Sequence, residues 1–333
     1  MIVILKIHEN PIEYPNATNI IKPLVSISVK TYQHVDFISD CIDGILMQET
    51  NFNYEILLGE DDSDDGTREI CIEYAKRYPD KIRLFLHHRS NVIYINGSPT
   101  GRFNSIYNYI KARGKYIALC EGDDCWTNPY KLQKQIDFLE RNDDFAMTSH
   151  AVKTIYLGVE ENHPFGKPKQ ITSFEDLIIM KHFIPTLSIV FRKKLIEDLP
   201  DWYQESWVGD IPLALLLTMY GKNYYFHEIM GLKRKHSSGI SQSAERKNKE
   251  YKEFVNKSRL NLYLNLSKMN KKNKEIIKPL IINYYFIIYS DELKKGNLFK
   301  ASKNFISPFL LSPILSLKFI FSRITKIKFT PNR

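Results

Sequence analysis

The sequence predicts an α/β fold, a mostly parallel sheet flanked by helices, followed by a helical C-terminal region. Three observations predict it. From about Leu24, short strand-like runs alternate with segments of helical spacing. Two of those runs end abruptly in clusters of acidic residues. After about Ser243 the chain turns rich in lysine, asparagine and glutamate, with helical periodicity. Repeated strand–helix units favour a parallel sheet joined by right-handed crossovers. The expected division is one domain over residues 1–240 and a helical, basic region over residues 241–333.

Residues 1–5 are apolar, but no basic stretch precedes them and Lys6 ends the run. An edge strand is expected there rather than a secretory segment. Residues 25–30 alternate with period two, and Phe37, Ile38, Cys41, Ile42, Ile45 and Leu46 then recur at helical spacing. Residues 54–58 form a second strand. Asp65 or Thr67 is placed to cap a helix with Ile70, Tyr74 and Tyr78 on its inner face. Residues 82–86 and 116–120 are the third and fourth strands. Between them, residues 89–101 contain Asn96-Gly97 and Pro99 and read as a turn-rich excursion. Asn128 and Pro129 read as N-cap and first residue of a helix that buries Leu132, Ile136 and Leu139. Residues 158–170 read as a second turn-rich loop. Residues 186–191 form a further strand and 211–220 a helix, with Pro212 tolerated in its first turn.

The chain has 333 residues, 43% hydrophobic and 26% charged, which suits a folded soluble protein with a sizeable core. The formal charge of +9 favours an anionic partner. Beyond Gly296 there is no acidic residue, while Lys300, Lys303, Lys318, Arg323, Lys326, Lys328 and Arg333 remain. Residues 305–321 are apolar but are broken by Pro308, Pro313 and Lys318, and a spanning helix needs about 20 apolar residues. Two readings of this tail stand: a basic amphipathic segment lying on an anionic membrane, and a helix packed on its own domain. Cys41, Cys71, Cys120 and Cys125 form no CxxC pair and read as buried, reduced thiols of a reducing compartment. Asn16-Ala17-Thr18 matches a glycosylation sequon but has no secretion signal beside it. The sequence contains no P-loop, GxGxxG or GxSxG pattern. Its basic residues are not interleaved with aromatics as in RNA-binding sheets, so nucleic acid is not the expected partner.

The chemistry is carried by the acidic clusters. The strand at 54–58 runs into Gly59, Glu60, Asp61, Asp62, Ser63, Asp64 and Asp65. The strand at 116–120 runs into Glu121, Gly122, Asp123 and Asp124. Like charges crowded at buried strand ends repel and lose hydration, so a cation or hydrogen-bonding ligand is expected to neutralise them. In open α/β sheets, ligands bind at the carboxyl ends of the strands. Asp123 and Asp124 suit a hard divalent cation whose other oxygens come from a diphosphate, and a polar turn is the alternative. Asp61 is placed to accept a base N–H or ribose hydroxyl, whereas Asp64, Asp65, Gly66 and Thr67 read as turn and cap. Asp210 is a helix cap, a general base, or both. Residues 233–239 form a basic turn after a strand. That turn is either solvated or a phosphate grip, with His236 a possible metal ligand.

These motifs, in this order, resemble the family 2 glycosyltransferases of the GT-A fold over roughly residues 24–240. The likeness rests on residues 25–32, 61–67 and 115–124. Residues 184–192 and 209–213 resemble bacterial enzymes of that family that build surface polysaccharide or lipopolysaccharide. The resemblance implies a GT-A-like, Rossmann-type sheet and an inverting, metal-dependent sugar transfer. It implies that Thr31 and Tyr32 lie under the nucleotide base and that Asp61 binds it. Arg102 or Asn104 would line the nucleotide pocket. Asp123 would bind the donor and metal with Asp124 beside it, His236 would join the Mn2+ or Mg2+ site, and Asp210 would be the catalytic base. The implied donor is a nucleoside-diphosphate sugar, with a UDP-sugar expected, and the acceptor a glycan or lipid-linked hydroxyl. The expected location is the bacterial cytoplasm, and peripheral contact with the inner face of the membrane follows only from the membrane reading of the basic tail. The chain departs from the family pattern at Lys30, where proline is usual, and at Glu121, where aspartate is usual.

Two rivals remain from the residues alone. A sugar nucleotidyltransferase would carry a Gly-rich basic loop near the N-terminus, and none lies between Leu24 and His34. A non-catalytic, membrane-peripheral scaffold would suit the basic tail but would not need Asp61, Asp123 and Asp210 together.

Overall fold

A computed structural model describes residues 5–14, 22–156, 159–161, 168–180, 184–236, 239 and 248–324. The chain divides into two compact units, residues 1–239 and 240–333.

The first unit is a mixed, mostly parallel sheet flanked by helices. Its elements run β1 (Ile12–Tyr14), β2 (Val25–Thr31), α1 (Ile38–Leu46), β3 (Tyr54–Glu60), α2 (Thr67–Arg77), β4 (Ile82–Leu86), β5 (Ile93–Ile95), β6 (Ser98–Thr100), α3 (Arg102–Lys111), β7 (Tyr116–Glu121), β8 (Cys125–Trp126), α4 (Lys131–Arg141) and β9 (Phe145–Tyr156). They continue through β10 (Val159–Glu161), β11 (Ile171–Thr172), α5 (Phe174–Met180), β12 (Val190–Arg192), α6 (Asp210–Thr218) and β13 (Lys222–Lys235). The main strand order is β1-β4-β3-β2-β7-β12-β9-β13-β11. Strands β4, β3, β2 and β7 are parallel neighbours, and β12 enters antiparallel between β7 and β9.

The two faces of β2 explain the layers. Val25, Ile27 and Val29 are fully buried with Ile56, Leu58, Ile82, Leu84 and Tyr116, and Ile38, Ile42 and Ile45 of α1 belong to the same core. Ser26 and Ser28 point the other way, into a polar layer with α3. Asn108 of α3 donates to Ser28 Oγ and to the Val29 and Leu57 carbonyls. Glu55, fully buried, accepts from Ser26 (2.6 Å) and pairs with Arg83 (3.0 Å), and Arg113 N–H also reaches it. Ser26, Glu55, Arg83 and the Asn108 amide nitrogen thus all find partners in this layer, since an unpaired buried group costs its full desolvation.

Several sequence expectations shift in detail. The expected strand at residues 1–5 falls mostly outside the described residues, and the observed edge strand is β1. Between residues 89 and 101 lies a β5–β6 hairpin, with Asn96 and Gly97 both at positive φ, as a two-residue primed turn requires. Cys71 and Ala75 are the buried apolar residues of α2, flanked by partly buried Ile70, Tyr74 and Tyr78. Helix α4 begins at Lys131, and Asn128 instead accepts the Tyr130 N–H in the preceding turn. Residues 186–188 are a short 3-10 turn, so the strand shrinks to β12. Lys233, Arg234 and Lys235 belong to β13 rather than to a turn. Helix α3 and the long strand β9 had no clear sequence signal, and β13 was expected only as a strand of unstated bounds before Lys233. All four cysteines are buried and free. The sequon at Asn16 lies outside the described residues.

The second unit contains α7 (Lys249–Met269), α8 (Lys271–Lys294), α9 (Leu298–Leu311) and α10 (Pro313–Ile324). Helices α7 and α8 meet through Tyr263 and Tyr284, 5.6 Å between rings, and Lys257 pairs with Glu292. Phe286 of α8 stacks on Phe319 of α10 at 5.2 Å and touches Phe305 and Phe309 of α9. No helix among the described residues is long and apolar enough to cross a membrane.

The buried Glu55 pair gives a direct test of the polar layer. Glu55→Ala takes from Arg83 its buried carboxylate and leaves Glu13 (2.8 Å) as its remaining ion-pair partner, and breaking a buried pair costs up to about 3–5 kcal/mol. Urea denaturation should show a loss of that size with an unchanged slope.

Candidate active site

The carboxyl ends of β2, β3 and β7 lie side by side, so the segments that follow them form one edge. The Asp61 N–H donates to the Thr31 carbonyl (3.1 Å), and the Gly122 N–H to the Lys30 carbonyl (3.0 Å). Both acidic clusters are thereby tied to the end of β2.

In the first cluster each acid has a distinct task. Glu60 is fully buried, paired with Arg68 at 2.5 Å, and accepts the Ser63 N–H. Asp62, in the left-handed region at φ 64, pairs with Arg68 and accepts the Arg89 N–H. Asp64, Asp65 and Thr67 fasten the loop after β2 by accepting from the Gln33 side chain and from the Val35 and His34 N–H groups respectively. The observed N-cap position of α2 is Gly66, and Asp65 also accepts the Thr67 N–H. Asp61 is buried, unlike Asp64 and Asp65, and is not taken into the Arg68 ion pairs that hold Glu60 and Asp62. Burial pushes it up to about 7, against the opposing charge of Arg89, and Glu60 nearby adds to the rise. Tyr32 is exposed beside it, with the Arg89 guanidinium 4.1 Å from its ring centre.

The second cluster is shaped by its neighbours across the sheet. Strand β8 pairs antiparallel with β13, Trp126 opposite Gly231 and Cys125 opposite Leu232. Continuing that run carries β13 past the acids. The Arg234 N–H donates to Asp124 Oδ1 (2.8 Å), and His236 Nε2 reaches Asp123 Oδ2 (3.1 Å). His34, which the sequence did not single out, joins them: ligand atoms of His34, Asp123 and His236 lie within 4.8 Å of one another. Thr31 Oγ1 sits 3.2 Å from His34 Nδ1 and orients that ring. Gly122 is required here, because a Cβ would stand 2.8 Å from His34 Nδ1 and 2.6 Å from Thr31 Oγ1. A second group, Glu121, Asp123 and Asp124, also gathers within 4.8 Å.

The charges are unequal. Burial opposes ionisation of Asp123, but the His236 hydrogen bond and the nearby His34 outweigh it and hold the carboxyl below its usual range. Asp124 is almost fully buried, and burial followed by the Asp123 charge drives it well above that range. Burial also lowers His34, which favours the neutral, ligating imidazole. Oxygen and imidazole donors together suit a divalent cation of the Mn2+ kind.

Two lysines hold the rest together. Lys30 pairs with Glu121 at 3.0 Å, joining the two departures from the family pattern in one ion pair. Its charge also reaches Asp61. Lys233 is raised, against burial, by Glu121, Asp124, Asp210 and Asp123. The charge of Asp210, the first residue of α6, acts on the same lysine as the acids that follow β7, and its Oδ1 accepts the Ile211 N–H. Arg102 opens α3 but turns away from solvent. It donates to the Ser206 carbonyl (3.0 Å) and lies over Tyr203, beneath Gly209. In this arrangement it supports the segment that presents Asp210. Asn104 caps the Gly59 carbonyl beneath Asp61.

The glycosyl transferase family 2 profile matches residues 26–199, just over half of the chain. The matched stretch includes both acidic clusters and ends before Asp210 and His236. Among curated proteins, an uncharacterized Mycobacterium tuberculosis protein, Rv1520, is 32% identical over 66% of this chain and 60% of its own length. The chain thus spans less than two thirds of that relative. The Bacillus subtilis glycosyltransferase TuaG, whose name places it in teichuronic acid biosynthesis, is 31% identical over 39% of this chain and 48% of its own. Among solved structures, S. aureus TarS 1–349 in complex with UDP-GlcNAc superposes with a TM-score of 0.57 at 16% identity, covering 84% of this chain and 79% of that one. The Pyrobaculum calidifontis mannosyltransferase PcManGT, in complex with GDP-Man and Mn2+, gives 0.53 at 13% identity, over 91% and 81%. At those identities the likeness is one of fold, and it is the profile match, laid over the strand-end acids, that decides the assignment: the chain belongs to glycosyl transferase family 2.

Proposed function

We propose that this chain is an inverting, metal-dependent glycosyltransferase. Its donor is a nucleoside-diphosphate sugar, and its acceptor is a glycan or lipid-linked hydroxyl of bacterial surface polysaccharide or lipopolysaccharide. One observation supports the reading most: ligand atoms of His34, Asp123 and His236 gather within 4.8 Å of one another at the carboxyl end of the parallel strands. The name of TuaG supports the polysaccharide setting. The UDP and UDP-GlcNAc complexes of TarS support a UDP-sugar donor.

The base of the nucleotide rests on the Thr31–Tyr32 end of β2, and Asp61 accepts its N–H. Asp123 and His236 hold the cation, with Asp124 beside them. Bound there, Mn2+ or Mg2+ supplies Lewis-acid stabilisation to the diphosphate leaving group. Lys233 adds positive charge where negative charge develops. Asp210 takes the proton of the acceptor hydroxyl as that oxygen attacks the anomeric carbon. The bond to the diphosphate breaks on the opposite face, the nucleotide leaves with the electron pair, and one displacement inverts the carbon. Arg102 holds the 206–209 segment and so fixes the position of Asp210. The setting is the cytoplasmic side of the bacterial membrane, where such donors are available.

General-base help is worth about 10²–10⁴-fold. Asp210→Asn should therefore cut turnover by that range while calorimetric UDP affinity stays within a factor of about two. Near-normal turnover would remove Asp210 from the role. Asp123→Ala should abolish the Mn2+ dependence of UDP binding in the same calorimetry, and an unchanged Mn2+ effect would move the cation site elsewhere.

Asp61 also predicts a pH dependence. Unfolded, it ionises near 3.8, and folded near 7. Between those values the folded chain holds the extra proton, so this group's contribution to stability falls as pH rises, by at most about 1.4 kcal/mol per pH unit. Asp61→Asn should flatten the decline between about pH 4 and 7 in urea titrations without ligand. An identical pH profile in the variant would contradict the burial assigned to this carboxyl.

A further inference from the structure

Helices α9 and α10 are apolar on two sides. One side packs: Ala301, Pro308 and Ser316 are buried, and Phe305, Phe309 and Phe319 meet Phe286. The other side is open. On α9, positions 299, 303, 306 and 310 share one face, as do 314, 317 and 321 on α10. Phe299 is 85% exposed, Leu310 82%, Leu298 71%, Ile314 69%, Phe321 62% and Ile306 54%. Single exposed apolar residues are ordinary, but a group of large ones on two successive helices, with Lys303 set among those of α9, marks an interaction surface.

We propose that this outer face is a docking surface for an anionic lipid membrane. The charge on the page selects that occupant. Lys303 lies on the α9 face itself, Lys300 and Lys318 are exposed next to Phe299 and Leu317 in the chain, and no acidic residue follows Gly296. Lysines beside an interfacial apolar face are drawn to anionic headgroups. A second copy of this chain would bring the same lysines against their equivalents, since a two-fold contact pairs identical patches. The helices cannot cross a bilayer, so they lie along it, with Phe299, Leu310 and Phe321 entering the headgroup boundary. The two readings of the tail in the sequence are therefore compatible. One side of each helix packs on its own unit and the other meets lipid. The inference rests on α9 and α10 alone and is independent of the transfer chemistry.

Co-sedimentation of the full chain with sucrose-loaded vesicles tests it. The chain should pellet with phosphatidylglycerol-containing vesicles, pellet weakly with pure phosphatidylcholine, and release as salt rises. Phe299→Ser with Leu310→Ser should lower the partition coefficient at least about tenfold. Lys300→Gln with Lys303→Gln should lower it by about tenfold on the anionic vesicles only. Both variants change exposed positions, so their melting temperatures should match the parent. Absence of pelleting with anionic vesicles, or partition unchanged in both variants, would overturn the proposal. So would a dimer in light scattering that the Phe299→Ser, Leu310→Ser variant dissociates, because the face would then belong to a second copy.

Discussion

The structure of the first unit turns on one electrostatic problem: several carboxylates gathered at the ends of buried strands. Asp61, Glu121, Asp123 and Asp124 sit where water is scarce, and like charges so close cannot all ionise without help. The fold answers with Lys30 against Glu121, His236 against Asp123, the Arg234 N–H against Asp124, and Lys233 facing the group from β13. What the protein leaves incompletely compensated is the arrangement a nucleotide and a divalent cation can complete. Glu60 and Asp62 are consumed by Arg68, whereas Asp61 shares no such pair.

The N-terminal half of this answer can be read in the sequence because it is local. Alternation in β2, the apolar run of β3 and the helical spacing of α1 each lie within one short window, and the acids follow directly on their strands. Which of Glu60, Asp61 and Asp62 stays out of an ion pair was less accessible. It depends on Arg68 and Arg89, which reach back from later in the chain to take Glu60 and Asp62.

The C-terminal half resisted reading because it is built from distant partners. Strand β13 owes its length to parallel pairing with β9, interrupted by bulges around Phe226 and Ile229, and such pairing leaves no periodic trace near residues 222–235. His34 was overlooked for a related reason. Its meaning comes from Asp123 and His236, and a lone histidine after Thr31 and Tyr32 has no signature of its own. Lys30 and Glu121 were visible only as departures from the family pattern. The structure supplies the reason they occur together, since each neutralises the other. Arg102 is a case where position suggested one role and packing another: it stands at the mouth of the site but spends itself on Ser206 and Tyr203.

The central claim is that Asp61, Asp123 and Asp210 serve one crevice, with a cation held at Asp123. Crystals grown with UDP and Mn2+ test it most directly, by anomalous scattering recorded on both sides of the manganese edge. The account predicts one strong manganese peak within bonding distance of Asp123, bridged to the diphosphate, with the uracil against Asp61 and Asp210 facing the open side. A manganese peak remote from Asp123, or a nucleotide lying away from the ends of β2, β3 and β7, would contradict it.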